Sequence, residues 1–210
     1  MAFLSLKKIL GTEEAALVCG MDEAGRGPWA GPVVTCAFMT RDVFRIKGLK
    51  NSKALSAKRR EEIAKKLKAK SDYGIGMASH QEIDKLGLMK ATNLAFRRAV
   101  EKLLRKRGVK RPDILVIDGR DKWNLPIPYK TVIKGDEKIR IVACASILAK
   151  VERDRLMRKF SKEFPKYGFE NHMGYGTKQH QKAIKEHGVC KIHRKSYKPV
   201  ARLSKQMEIF

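Results

Sequence analysis

Apolar residues in the first forty positions gather into two dense runs, Ala15–Met21 (AALVCGM) and Val33–Met39 (VVTCAFM). Both are too short for a useful helix and too continuous for a half-exposed strand, so they predict strands of a sheet covered on both faces. The Gly/Pro-rich GRGPWAGP between them is longer than a tight hairpin turn. Ser56 is placed to cap a helix running to about Lys70, and Ser79-x-x-Glu82 carries the capping-box pattern ahead of another. Tyr73–Ala78 predicts a third strand between them. Ala91, Ala95, Ala99 and Leu103 then recur in four-residue steps, flanked by Phe96, Val100 and Leu104. That period predicts a long amphipathic helix from Leu88 to Arg107, stopped by Gly108.

Asp113–Ile117 and Tyr129–Ile133 predict a fourth and a fifth strand, and Ile141–Phe164 predicts a long helix. After Pro165 the pattern weakens into a Gly-rich GYGT and a short helix from about Thr177 to His187. Strands interleaved with helices imply a three-layer α/β domain with a smaller helical end.

The predicted strand ends deliver acids: Asp22 and Glu23 after the first strand, Asp118 after the fourth, Asp136 after the fifth. Open α/β sheets place their sites at strand ends. Successive strand residues face opposite ways, so Asp22 and Glu23 share one site only if the chain leaves strand geometry there, which Gly25 and Gly27 permit. Gathered carboxylates repel one another unless a cation lies between them, and oxygen ligands select Mg²⁺ or Mn²⁺. Taken singly, each acid also fits a helix cap, a turn or a solvated loop. The backbone N–H groups of Gly25-Arg26-Gly27 are able to approach a sugar or phosphate closely, because no Cβ intervenes at the glycines. Neither a Walker A motif nor a GxGxxG opening a helix is present, which disfavours nucleoside triphosphates and dinucleotides.

Charge adds a partner. The 210 residues carry 47 Lys+Arg against 22 Asp+Glu, a formal net charge of +25. The excess lies wholly beyond residue 40, with Arg97–Arg111 and Asn171–Phe210 among the richest stretches. Clustered Lys and Arg gain affinity for phosphate polymers by releasing condensed counterions. No apolar run approaches the roughly 20 residues needed to cross a bilayer and no signal-peptide pattern opens the chain, so no membrane partner and a cytoplasmic location are expected. Cys19, Cys36, Cys144 and Cys190 are widely spaced and read as free thiols. His180, His187, Cys190 and His193 share a short stretch, but their spacing fits no standard zinc module.

Six motifs, in order, carry a family resemblance: Met21-Asp22-Glu23-Ala24-Gly25-Arg26-Gly27-Pro28, Asn51-Ser52-Lys53, Ile117-Asp118-Gly119, Lys134-Gly135-Asp136, Ala145-Ser146-Ile147-Leu148-Ala149-Lys150-Val151 with Arg153-Asp154, and His172-x-Gly174-Tyr175-Gly176-Thr177-x-x-His180. Together they resemble prokaryotic ribonuclease HII, and His193-Arg194-Lys195-Ser196 is similar to that family's C-terminal pattern. The resemblance implies a ribonuclease H-like fold: a central mixed five-stranded sheet flanked by helices, with a catalytic domain over 1–165. A small helical extension over 166–210 is expected to pack on it and touch substrate. It implies that Asp22, Glu23, Asp118 and Asp136 are the catalytic, metal-binding carboxylates for two Mg²⁺ or Mn²⁺ ions, Glu23 mainly through its backbone carbonyl. Gly25, Arg26 and Gly27 are similar to the loop that senses the ribose 2′-OH, the group that distinguishes the two sugars. Tyr175 resembles the tyrosine that stacks at an RNA–DNA junction. Ser146 and Lys150 lie one helical turn apart and are expected, with Lys53, to meet the substrate backbone. Asp154, in an Arg-Asp setting, fits an ion pair better than a metal ligand, and His172 and His180 are expected to pack rather than catalyse. Where many members read Asp-Ser-Lys-Lys, this chain has Asn51-Ser52-Lys53-Ala54.

The activity so implied is endonucleolytic hydrolysis of the RNA strand of RNA–DNA hybrids, and cleavage at ribonucleotides in duplex DNA, leaving 5′-phosphate and 3′-hydroxyl ends. The chain is expected to work as a monomer. Two other classes compete: a basic protein that merely coats nucleic acid, and another ribonuclease H-like nuclease such as a junction resolvase. The gathered acids argue against the first; the GRG and GYGT motifs argue against the second. The terminal Gln206-Met207-Glu208-Ile209-Phe210 resembles the peptide by which bacterial repair proteins hold the sliding clamp, Gln206, Met207, Ile209 and Phe210 being the anchors.

Overall fold

The computed structural model describes residue 11, residues 17–40, residue 49 and residues 55–207. Among these, five strands form one sheet: β1 (Val18–Ala24), β2 (Val33–Met39), β3 (Asp72–Ala78), β4 (Ile114–Asp118) and β5 (Tyr129–Val132), in the order β3-β2-β1-β4-β5. β2 runs antiparallel to both its neighbours, β1 and β3, whereas β4 runs parallel to β1 and β5 parallel to β4. The sheet is therefore mixed. Helices α1 (Ala57–Lys70), α2 (His80–Leu86), α3 (Leu88–Leu104), α4 (Gly135–Lys138) and α5 (Arg140–Glu163) flank it. Beyond them lie a 3-10 turn at Pro165–Tyr167 and helices α6 (Phe169–His172), α7 (Lys178–His187) and α8 (Lys198–Met207).

Strand alternation assigns the two cores. Cys19 and Met21 of β1, Ala37 and Met39 of β2, and Leu115 and Ile117 of β4 bury against Phe96, Val100 and Leu103 of α3. The intervening Cys36 and Phe38 bury on the opposite face against Ile63 and Leu67 of α1 and Ala145 and Leu148 of α5. The four-residue steps of α3 are its buried stripe, each large side chain gaining about 1.5–3 kcal/mol from leaving water. Ser79 and Glu82 form the capping box that starts α2. On β1, a Cβ at Gly20 would come within 2.5 Å of the Ile141 backbone, so glycine there lets α5 lie directly on the strand.

Two expectations about strand ends need correction. β1 does not stop at Met21 but continues to Ala24, so Asp22 and Glu23 are strand residues, paired with Cys36 and Thr35 of β2. Asp118 is the last residue of β4 and not the first beyond it. The reason is backbone pairing, which leaves no hydrophobic signature: β2 supports β1 for three residues after its pairing with β4 has ended at Met21–Ile117. The helical end shares a core with the rest, since Tyr167, Phe169, Ala183, Ile184 and Ile192 bury against Ala30 and Met157.

Candidate active site

Where β1 outruns β4, its exposed edge opens a cavity of about 370 Å³. It is lined by Asp22, Glu23, Ala24, Gly25, Arg26, Gly27, Asp118, Asp136, Ser146, Lys150, Arg153 and Tyr175. Sequence-named residues from five separate segments thus meet at one place. Lys53 lies outside the described residues.

Each acid is delivered by a local device. Asp22 has the strand parity of Gly20, which points it towards α5, where Ser146 donates a hydrogen bond to it. Its Oδ1 also accepts the Glu23 N–H at 2.7 Å. Asp118 Oδ1 accepts the N–H of Gly135 at 2.6 Å, which ties the turn after β5 to the end of β4 and carries Asp136 into the cavity. Lys134, within that turn, holds φ at +58°, a left-handed conformation that costs a non-glycine residue on the order of 1 kcal/mol.

The carboxylates are buried together at a cost. Burial, then the charge of Glu23, holds Asp22 well above the usual carboxylate range, with Asp118 adding to the rise and Ser146 opposing it. Burial lifts Glu23 to about 7 against the pull of Arg26. Glu23 Oε2 is buried and has no hydrogen-bond partner. An orphaned anionic oxygen among repelling carboxylates is the environment a divalent cation neutralises, so this donor set fits hard oxygen-bound ions. As they stand, no three His, Cys, Asp or Glu side chains among the described residues are close enough to hold an ion, in keeping with like charges standing apart. Glu23 lines the cavity.

The basic residues depart from simple substrate contacts. Arg26 Nη1 donates to Asp121 at 2.7 Å and reaches Glu23 at 3.5 Å, so its guanidinium braces the loop after β4. Lys150 donates to Asp154 Oδ1 at 2.8 Å, and Arg60 stands 3.9 Å from the other carboxylate oxygen. Asp154 therefore sits in an ion-pair cluster with Lys150 and Arg60, and not with its neighbour Arg153. Tyr175 is 47% exposed at the cavity mouth.

Behind Tyr175, the histidines form a defined relay. A carbonyl only accepts, so His180 Nδ1, 2.9 Å from Tyr175 O, carries the proton. Neutral His180 Nε2 must then accept from His193 Nε2 at 3.0 Å, which leaves His193 Nδ1 to accept the Cys190 N–H at 2.9 Å. His172 packs on His180 with ring centroids 4.6 Å apart and accepts the Gly174 N–H. The 2.9–3.0 Å bonds of His180 and His193 are satisfied with neutral rings. Burial lowers both His180 and His193 to about 4. An unfolded chain takes up protons below 6.5 that the folded pair refuses until about 4, so this part of the stability is complete above 6.5 and lost as pH falls towards 4. NMR titration should find both imidazoles neutral at pH 5; a midpoint near 6.5 for either would contradict the relay.

Sequence reasoning missed three contributors. Asp121 meets Arg26 across 95 positions, a separation with no local signal. Arg153 and Arg194, only 1% and 0% exposed, are legible in the sequence only as parts of motifs, with no sign of their burial.

A family model described as "Ribonuclease HII" matches residues 19–200. A ribonuclease HII from Syntrophotalea carbinolica is 46% identical over 184 residues, covering 87% of this chain and 86% of the relative. The structure of a PCNA:RNase HII complex from Archaeoglobus fulgidus matches with a TM-score of 0.72 at 27% identity, over 89% of this chain and 96% of that one. Ribonuclease H2 from Pyrococcus horikoshii OT3 matches with a TM-score of 0.73 at 26% identity, over 91% and 98%. With the family model spanning nearly the whole described fold and the acids of its sheet edge gathered in one cavity, the chain belongs to the ribonuclease HII family.

Proposed function

We propose that the chain, a ribonuclease H acting on the RNA strand of RNA–DNA hybrids, also cuts at ribonucleotides embedded in duplex DNA, with Asp22, Glu23, Asp118 and Asp136 holding two Mg²⁺ or Mn²⁺ ions. The observation that carries this reading is the convergence of those four acids with the Gly25–Gly27 loop and Tyr175 in one cavity, where a buried Glu23 oxygen lacks a partner. Ions bound there would activate a water for in-line attack and stabilise the departing 3′-oxygen, leaving 5′-phosphate and 3′-hydroxyl ends. The protein's own tasks are positional. Ser146 fixes Asp22, Gly135 fixes Asp118, and the Gly25–Gly27 backbone offers donors to a ribose hydroxyl. Tyr175 presents an exposed ring beside that loop for stacking on a base or sugar. The 1–165 portion supplies the carboxylates, and the 166–210 extension supplies Tyr175.

The buried free thiols Cys19, Cys36 and Cys144 suit a reducing compartment and hence the cytoplasm. Among the described residues no helix is long and apolar enough to cross a membrane. The Archaeoglobus fulgidus relative was solved in a complex with PCNA, which favours Gln206, Met207, Ile209 and Phe210, at and beyond the last residues of α8, as a sliding-clamp anchor. Ile209 and Phe210 lie outside the described residues.

The test is cleavage of a labelled DNA duplex carrying one ribonucleotide, with Mg²⁺, Mn²⁺ or chelator. Metal-dependent scission at the ribonucleotide, with an all-DNA duplex untouched, is expected. Scission in chelator, or scission blind to the ribonucleotide, would sink the proposal. Binding of the uncut duplex should weaken steeply with salt, because the +25 charge acts through counterion release.

A further inference from the structure

We infer that Arg194, assisted by Tyr197, is a positioning residue that presets the Gly25–Gly27 backbone for the ribose, an inference that rests on the reading of that loop given above. Arg194 is fully buried, yet its guanidinium donates to neutral partners: Gly25 O at 2.6 Å, Arg26 O at 2.9 Å, Gly31 O at 3.0 Å and the Tyr197 hydroxyl at 2.8 Å. The Tyr197 hydroxyl in turn donates to Arg26 O at 2.6 Å. Arg153, buried alongside, holds the carbonyls of Ala30, Pro32 and Met173. Two buried cations thus converge on carbonyls of the loop between β1 and β2, Arg153 also tying it to Met173.

The consequence follows from peptide planarity. In a trans peptide the C=O of one residue and the N–H of the next point in opposite directions. Fixing the carbonyls of Gly25 and Arg26 on Arg194 therefore turns the N–H groups of Arg26 and Gly27 the other way. Neither N–H has a protein acceptor among the described residues. Both residues line the cavity that holds the carboxylates. Successive free N–H groups of this kind form an anion- or hydroxyl-oxygen-binding concavity, and the buried guanidinium behind them adds positive potential. Lysine would keep the charge but lacks the planar fork that reaches several carbonyls at once.

The experiment compares wild type, R194K and Y197F on duplexes with and without one ribonucleotide. Cleavage is measured with metal, and binding of the same duplexes is measured in chelator. Y197F is expected to lower kcat/KM at the ribonucleotide about tenfold and R194K about a hundredfold. Both should also lose whatever preference wild type shows for the ribonucleotide duplex over all-DNA in chelator, while affinity for all-DNA duplex, governed by surface charge, stays the same. A merely structural role would shift both affinities together, or neither. Y197F keeps the test decisive if R194K does not fold. Wild-type preference and turnover in a folded Y197F would overturn the inference while leaving the proposed function standing; a wild type that ignores the ribonucleotide would instead overturn the function.

Discussion

Asp22→Asn is expected to reduce strand cleavage by about a thousandfold or more, leave duplex binding intact and raise the thermal midpoint of the metal-free protein. The first effect follows from losing one of the anionic oxygens proposed to hold the ions, next to Ser146 and the carboxylates of Glu23 and Asp118. The second follows because affinity for duplex comes from a charge excess spread over the surface, to which one buried acid contributes little. The third is the most diagnostic. Asp22 is 5% exposed and held well above the usual carboxylate range, first by burial and then by the charge of Glu23. A group whose folded pKa is raised destabilises the fold at neutral pH, so a neutral isostere relieves that cost. Adding Mg²⁺ or Mn²⁺ should then raise the midpoint of wild type and do so far less in the variant, because only a bound ligand stabilises the folded state by mass action. A coating protein without a metal site would show neither the loss of cleavage nor the metal-induced rise, and unchanged cleavage by Asp22→Asn would dispose of the metal assignment.

This opposition between stability and activity explains why some of the site was legible in sequence and some was not. Asp136 is legible because it follows Gly135 just past the Tyr129–Ile133 segment, where a strand end delivers it. Lys150 and Asp154 are four apart on one helix, a spacing that foretells their ion pair. The four-residue steps in α3 reflect the same apolar burial that stabilises the helix, so pattern and fold coincide there. Asp22 and Glu23 mislead on strand length, because β2 continues to pair with β1 through backbone groups that carry no sequence signature. Arg153 and Arg194 mislead more. Arginine in a chain of net charge +25 reads as surface, and only the fold reveals that these two serve carbonyls brought together across 121 and 169 positions. Long-range polar contacts of this kind depend on where the chain returns, which local patterning does not encode.

Gly25→Ala and Gly27→Ala should fail in different ways, and the difference locates the sugar-reading surface. Gly25 holds φ at +99°, where an L side chain is strained by about 1–3 kcal/mol. Its added Cβ would also collide with the Arg153 side chain and stand 2.8 Å from Pro32 O. Arg153 has no easy retreat, because its guanidinium is fixed by three buried carbonyls whose loss adds roughly 1.5–3 kcal/mol for a charged hydrogen bond. A destabilisation of about 3 kcal/mol or more is expected, lowering the thermal midpoint by roughly 6–12 °C in a chain of this size. Gly27 is different. It has no positive φ, and a Cβ there would meet only Tyr175 Cε1 at 3.5 Å, an ordinary contact. Gly27→Ala should therefore melt close to wild type. Yet its methyl group would occupy the space between the loop and the Tyr175 ring, where a ribonucleotide must approach the Gly27 N–H. Cleavage at an embedded ribonucleotide should fall by about a hundredfold, the cost of displacing a reacting group by an ångström. Thermal melts beside single-turnover cleavage separate the two cases. A stable Gly27→Ala with full activity would move the sugar contact off this loop, and with it the reason for burying Arg194 behind it.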